Sequence, residues 1–285
     1  MAFKEVYYLT DFSEASEKAL WYAADLVKKT KGQLHVVHVY EKPYVSIAQS
    51  GSLSAMVDPE QDARIREELR HQLKQFLIKH KRWLEGGEYR LSDRLVADVP
   101  VYQFYEPILK EAHQIDLAVI GTRGATGIFH GELFGTNAAR LLRYAPFPVL
   151  IVPVDVEPRP IKRILFADGG DDDHTHVFQV AAEFASIYDA EIVLTYIETT
   201  PDSYLKQHAK QRLEQYKEIY PSVKAFIMRY PLVVEGLIEA TLTKHADLLV
   251  MPTHGRRGLS RIIKGSITEQ VAQHLYVCPI LAVKI

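Results

Sequence analysis

At 285 residues and 32.5 kDa the chain is long enough for two domains of about 150 residues each, and 47% hydrophobic with 25% charged residues excludes a disordered polymer. The 34 Lys and Arg nearly balance the 36 Asp and Glu, so no basic field is available for nucleic acid. A single cysteine, Cys278, excludes an intrachain disulfide; the opening MAFKEVYYLTDF is no secretory leader, and apolar runs such as Pro146 to Val154 are far shorter than the roughly 20 residues of a membrane span, so a cytoplasmic protein with no membrane contact is expected.

In chain order, Val6 to Leu9 predicts a short strand, followed by a helix capped by Ser13 with Ala15, Ala19, Tyr22, Ala23, Leu26 and Val27 at helical spacing. Leu34 to Tyr40 predicts a second strand, Ser46 to Asp58 a loop, and Pro59 to Leu84 an amphipathic helix striped by Leu69, Leu73, Phe76 and Leu77. Leu95 to Val99 reads as a third strand and Pro107 to His113 as a helix. Leu117 to Ile120 is a fully apolar fourth strand, Thr136 to Tyr144 a helix, and Val149 to Val152 a fifth strand. Short apolar strands alternating with helices imply a parallel sheet covered on both faces. Asp155 to Pro160, with two prolines and no periodicity, predicts a linker between domains at 1–154 and 161–285.

The two halves repeat each other. Tyr7 to Asp11 aligns with Ile164 to Asp168 at an offset of 157, and Val36 to Val39 with Val193 to Tyr196. Asp116 to Gly124 aligns with Asp247 to Gly255 at an offset of 131, and Pro148 to Leu150 with Pro279 to Leu281. The second copy is therefore 26 residues shorter, with the deficit between its second and third strands. Pairing of the last strands, Val149 to Val152 with Ile280 to Val283, would hide two apolar edges, so the copies are expected to pack face to face about a pseudo-two-fold axis through them.

Ligands of open parallel sheets bind beyond the carboxyl ends of the strands, where strand order reverses. Three features of the first copy fall there: Thr10-Asp11 after the first strand, Gly121-Thr122-Arg123-Gly124 after the fourth, and Gly135-Thr136-Asn137 opening the next helix. Glycines admit phosphate oxygens close to the backbone, and a helix start offers free amides. The alternative for the glycines is a tight turn, and for Asp11 a helix cap.

These residues resemble the universal stress protein family. The likeness rests on Asp11, Gly121-x2-Gly124 followed by Gly135-Thr136, and Pro148 to Val152, repeated as Asp168, Thr253-His254-Gly255, Gly265-Ser266 and Pro279 to Leu281, and it spans the whole chain as a tandem pair. It implies an α/β fold of two doubly wound parallel sheets, each five-stranded with order 3-2-1-4-5, of the adenine-nucleotide α-hydrolase-like kind. It also implies a stress-related role and a nucleotide motif Gly-x2-Gly-x9-Gly-Ser/Thr that wraps the phosphates of ATP, with or without magnesium. The expected nucleotide-binding set in the first copy is Thr10, Asp11, Val39, Ile120, Gly121, Arg123, Gly124, Gly135, Thr136 and Asn137. A second, degenerate site is expected around Asp168, Tyr196, His254, Gly255, Gly265 and Ser266.

Both copies depart from the motif. Ten residues rather than nine separate Gly124 from Gly135, and in the second copy Pro252 replaces the first glycine while the Tyr196 ring stands where the first copy has Val39. No general base faces the phosphate motif, so little or no hydrolysis and no catalytic residue are expected. Asp171 to His176 holds metal-ligand types, but a dipole-compensating helix start outweighs a metal site, and none is expected. The alternative function is a tandem scaffold that acts through a protein partner or another small ligand. An adenylating enzyme is disfavoured, because Thr10-Asp11-Phe12-Ser13 is not a Ser-Gly-Gly-x-Asp-Ser loop. A tandem fusion acts as its own pseudo-dimer and leaves a further homodimer open.

Overall fold

A computed structural model of the chain describes residues 3–41, 44–49, 52–98, 106–122, 136–169, 173–201, 203–253 and 267–285. The first copy contributes β1 (Glu5–Leu9), α1 (Glu14–Thr30), β2 (Gln33–Glu41), a hairpin of β3 (Tyr44–Gln49) and β4 (Ser52–Val57), α2 (Pro59–Lys79), α3 (Lys81–Leu84), β5 (Arg90–Asp98), α4 (Glu106–Lys110), β6 (Leu117–Gly121), α5 (Thr136–Tyr144) and β7 (Val149–Val152). The second contributes β8 (Arg163–Ala167), α6 (Thr175–Tyr188), β9 (Glu191–Glu198), α7 (Ser203–Ile219), β10 (Lys224–Arg229), α8 (Val233–Thr243), β11 (Leu248–Thr253), α9 (Ile267–His274) and β12 (Ile280–Lys284). The segment expected to be a loop before α2 is this hairpin. The second copy retains the long helix as α7, 17 residues against 21 in α2, so its deficit is the hairpin together with α3 and part of the helix.

Ten strands form one sheet in the order β10-β9-β8-β11-β12-β7-β6-β1-β2-β5. Each half is parallel with the expected order 3-2-1-4-5, and the two are joined by antiparallel pairing of β7 with β12, Leu150 opposite Leu281. The copies thus meet edge to edge in a continuous sheet, not face to face, and two of the four half-sheet edges disappear. One face carries α1, α2, α6 and α7 on a core that runs unbroken across the seam, where the Phe3 and Phe184 rings meet edge-on at 4.8 Å. The other face carries α4, α5, α8 and α9. Across the seam on that face, Arg143 of α5 donates to both carboxylate oxygens of buried Glu269 of α9, at 2.7 and 3.0 Å.

Local chemistry explains the elements. Ser13 Oγ accepts from Ser16 N–H, Glu14 and Glu17 sit in the first turn of α1 and Lys28 and Lys29 in its last, and Lys31 closes the helix in the left-handed region. Strands β6 and β7, and β1 from Val6 onward, are buried and without charge because both of their faces are covered. Cys278 is fully buried and its thiol is pushed up to about 12 by that burial, consistent with a small apolar role.

The structure corrects the alignment of the two copies along their first two strands. Lys4 and Glu5 N–H donate to Asp116 Oδ2, and Lys162 and Arg163 N–H to Asp247 Oδ2. Thr10 N–H donates to Val37 O as Asp168 N–H donates to Thr195 O, which sets the offset at 158 and not 157. One residue moves a strand's side chains to the opposite face. Asp168 is therefore the counterpart of Thr10, not Asp11, and Tyr196 the counterpart of His38, not Val39.

Candidate functional site

Strand order reverses between β1 and β6, with α1 on one face of the sheet and α5 on the other, so the first copy has its crevice beyond these strand ends. Thr10 closes β1: its Oγ1 lies 3.1 Å from Ser16 Oγ and accepts from Phe12 N–H. Asp11 is half-buried, and its Oδ1 accepts from Ser13 N–H at 3.1 Å and from Ser13 Oγ–H at 2.6 Å. These bonds hold the chain entering α1, with Phe12 in the left-handed region at φ 64° and its ring stacked on His38 at 4.5 Å.

His38 is the residue at this strand end that the sequence did not single out. Its Nδ1 lies 2.8 Å from the Thr10 carbonyl, which can only accept, so Nδ1 carries the proton and Nε2 of the neutral ring is an acceptor. Burial holds the ring below the ordinary imidazole range, against the Thr10 carbonyl and Asp11, which pull the other way. The signal available beforehand was the polar His38 inside an apolar strand, which periodicity alone reads as structural.

Val39 is half-buried and Ile120 buried, both in the core layer on the α5 side of the sheet. Gly121 is ordered within β6 opposite Val152, and a Cβ there would lie 2.6 Å from the Ala15 carbonyl carbon. The close approach of β6 to the first turn of α1 by itself requires a glycine here. Thr136 and Asn137 open α5, whose free amides face the same end of the sheet, because a crossover helix runs antiparallel to its strands. Arg123, Gly124, Gly135, His254, Gly255, Gly265 and Ser266 lie outside the described residues.

The second strand end is built differently. The Asp168 side chain is wholly buried and accepts from Tyr196 OH at 3.0 Å and Tyr216 OH at 3.3 Å, with His174 Nδ1 at 2.8 Å. Tyr216 also stacks on Phe178 at 4.0 Å, so α7 is clamped over the end of β8. Burial beside the Asp168 carboxylate drives both phenol groups well above the usual tyrosine range. Asp173 turns outward to cap α6 through Thr175, with Arg212 at 3.6 Å, so Asp173 and His174 do not converge. Among the described residues no cluster of three or more metal-ligating side chains occurs, and no helix is long and apolar enough to cross a membrane.

The family model described as universal stress protein family matches the chain twice, over residues 2–153 and 160–284. The chain belongs to the universal stress protein family. A universal stress protein of Synechocystis is 26% identical over 290 aligned positions, covering 94% of this chain and 96% of that protein. One from Methanocaldococcus jannaschii is 27% identical over 151 positions, 53% of this chain and 82% of its own length. A universal stress protein of known structure from Archaeoglobus fulgidus superposes with a TM-score of 0.73 at 18% identity, covering 100% of this chain and 99% of that one. That likeness is one of fold over the whole chain.

One consequence of this universal stress protein's strand-end histidine is a pH-dependent stability. His80, packed between Phe76 and Trp83, is likewise held below the ordinary imidazole range by burial and by Lys79, against Glu17. The unfolded chain takes up these protons first, so stability is full above about 6.5 and falls as pH drops toward the depressed folded values. The melting temperature is expected to fall between pH 7.5 and 5.5, and to fall less in a His38→Asn, His80→Asn double variant. An unchanged slope in that variant would assign the effect to other groups.

Proposed function

We propose that this universal stress protein binds an adenine nucleotide at the strand-end crevice of its first copy and acts as a binding module with little or no hydrolysis. The observation that carries the reading is the contrast between the two switch points. At the first, a half-buried Asp11, a neutral His38 with an acceptor nitrogen and the open amides of α5 border the crevice. At the second, the strand-end carboxylate of Asp168 is wholly buried and taken up by Tyr196, Tyr216 and His174. The residues of the first crevice suit the ligand: a polar strand end beside apolar Val39 and Ile120 fits a nucleoside, and helix amides fit a phosphate. Of the acid–base groups described there, Asp11 is engaged with Ser13 in the turn into α1 and His38 stands on β2, both away from the start of α5 where phosphates would lie, which favours slow turnover.

The experiment is calorimetric titration of the full chain with ATP, with turnover followed as phosphate release. Asn137→Asp is the informative variant, because a carboxylate in the first turn of α5 favours the helix while repelling phosphate. It is expected to leave the melting temperature unchanged or slightly raised and to weaken ATP about tenfold, roughly 1.4 kcal/mol. Turnover is expected far below the roughly 1–1,000 per second of typical enzymes. Undiminished affinity in the variant would remove the phosphates from this helix end, and release faster than about one per second would make the protein an ATPase.

A further inference from the structure

The first copy carries a second cavity, away from the strand-end crevice, between α2 and the edge strand β5. Its volume is about 830 Å³, within the range of roughly 300–1,000 Å³ for small-ligand sites. Leu73 and Leu77 from α2, Leu84 from α3, and Leu91 and Leu95 from β5 form an apolar floor. Part of it lacks any protein cover: Ile78 is 55% exposed and Leu91 46%. The rim is basic, with five Lys and Arg (positions 66, 70, 74, 81 and 94) against two carboxylates, Glu85 and Asp93.

Three of the five cations are already engaged. Arg66 is held by Tyr40 OH and Asp62, Lys81 by Glu85 at 3.1 Å, and Arg94 by Glu111. Arg70 and Lys74, one turn apart on α2, have no partner among the described residues. Arg66 stands at one end of the groove and Tyr89, whose hydroxyl donates to Leu84 O, at the other. From Arg66 to Ile78 the groove runs about 18 Å along the helix.

We propose that this groove binds a single-chain anionic amphiphile, a long alkyl chain on the leucine floor with its terminal carboxylate against Arg70 and Lys74. One feature selects this occupant over a neutral lipid: the pair of cations without a partner among the described residues, set beside a partly exposed apolar floor. The groove belongs to the first copy's own elaboration, since α3 and the turn to Tyr89 have no counterpart between α7 and β10. The inference is independent of the nucleotide reading.

The test is titration of the full chain with monomeric palmitate, followed by calorimetry and by the fluorescence of Trp83, which lies on α3. Saturable binding is expected, at least tenfold tighter than for hexadecanol, which has the same chain length and no charge. The Arg70→Glu, Lys74→Glu variant is expected to lose at least tenfold in palmitate affinity while its hexadecanol affinity and ATP affinity stay the same. Leu91→Asp, at an exposed position that leaves the fold intact by circular dichroism, is expected to abolish binding of both. The proposal is overturned by absence of saturable palmitate binding, or by equal palmitate affinity in the charge-reversal variant. It is also overturned if sedimentation shows a dimer of the wild type that Leu91→Asp dissociates, which would assign the groove to a second copy of the chain.

Discussion

Asp168→Ala is expected to destabilise the protein by about 3–5 kcal/mol, the cost of leaving a buried polar cluster without its acceptor. Tyr196 OH, Tyr216 OH and His174 Nδ1 all converge on this one carboxylate, and none of the three side chains is exposed. Removing it strands donors where water cannot replace it and loosens Tyr216 from Phe178, so α7 loses its anchor over β8. Asp168→Asn keeps the shape but offers one acceptor oxygen in place of two, and is expected to recover only part of the loss. Urea unfolding followed by circular dichroism measures both variants. A loss below about 1 kcal/mol in the alanine variant would mean that the cluster is no more than an ordinary surface hydrogen bond in energy.

Leu281→Ala is expected to cost about 2–5 kcal/mol, as for any large buried aliphatic side chain, and to be felt in the copy that does not contain it. Leu281 is fully buried opposite Leu150 in the strand pair that, among the described residues, joins the two halves of the sheet. Both tryptophans, Trp21 and Trp83, lie in the first copy. Their fluorescence therefore reports the first half, whereas circular dichroism reports the whole. If the continuous core makes the chain one cooperative unit, the two probes give coincident wild-type transitions and the substitution shifts both together. A fluorescence transition that stays in place while circular dichroism moves would show that the seam does not couple the copies.

The sequence by itself determined the alternation of strands and helices, the repeat, the pairing of the last strands and the family. These rest on signals carried locally: apolar runs of strand length, the Ser13 cap, the amphipathic stripe of Leu73 and Phe76, and motifs repeated at fixed spacing. The hairpin of residues 44–57 reads as a loop in the sequence although Ser50-Gly51 stands between its strands, because the small and polar residues of those strands, among them Ser46, Ala48, Ser52 and Ser54, leave no strong apolar run.

Register was decided only by the tertiary structure. A strand covered on both faces is apolar at every position, so its sequence does not say which side chains point to which layer, and Asp168 could be aligned with Asp11 or Thr10 equally well. The hydrogen bonds of Asp116 and Asp247 to the starts of β1 and β8 settle the matter in favour of Thr10. Packing likewise places a demand on Gly121 that the chain does not show, since a Cβ there would meet Ala15 of α1. The stack of Phe12 on His38 at the first strand end, the buried Asp168 cluster at the second and the basic groove beside α2 all depend on side chains from distant segments meeting at one place, and no local pattern in a sequence encodes that meeting.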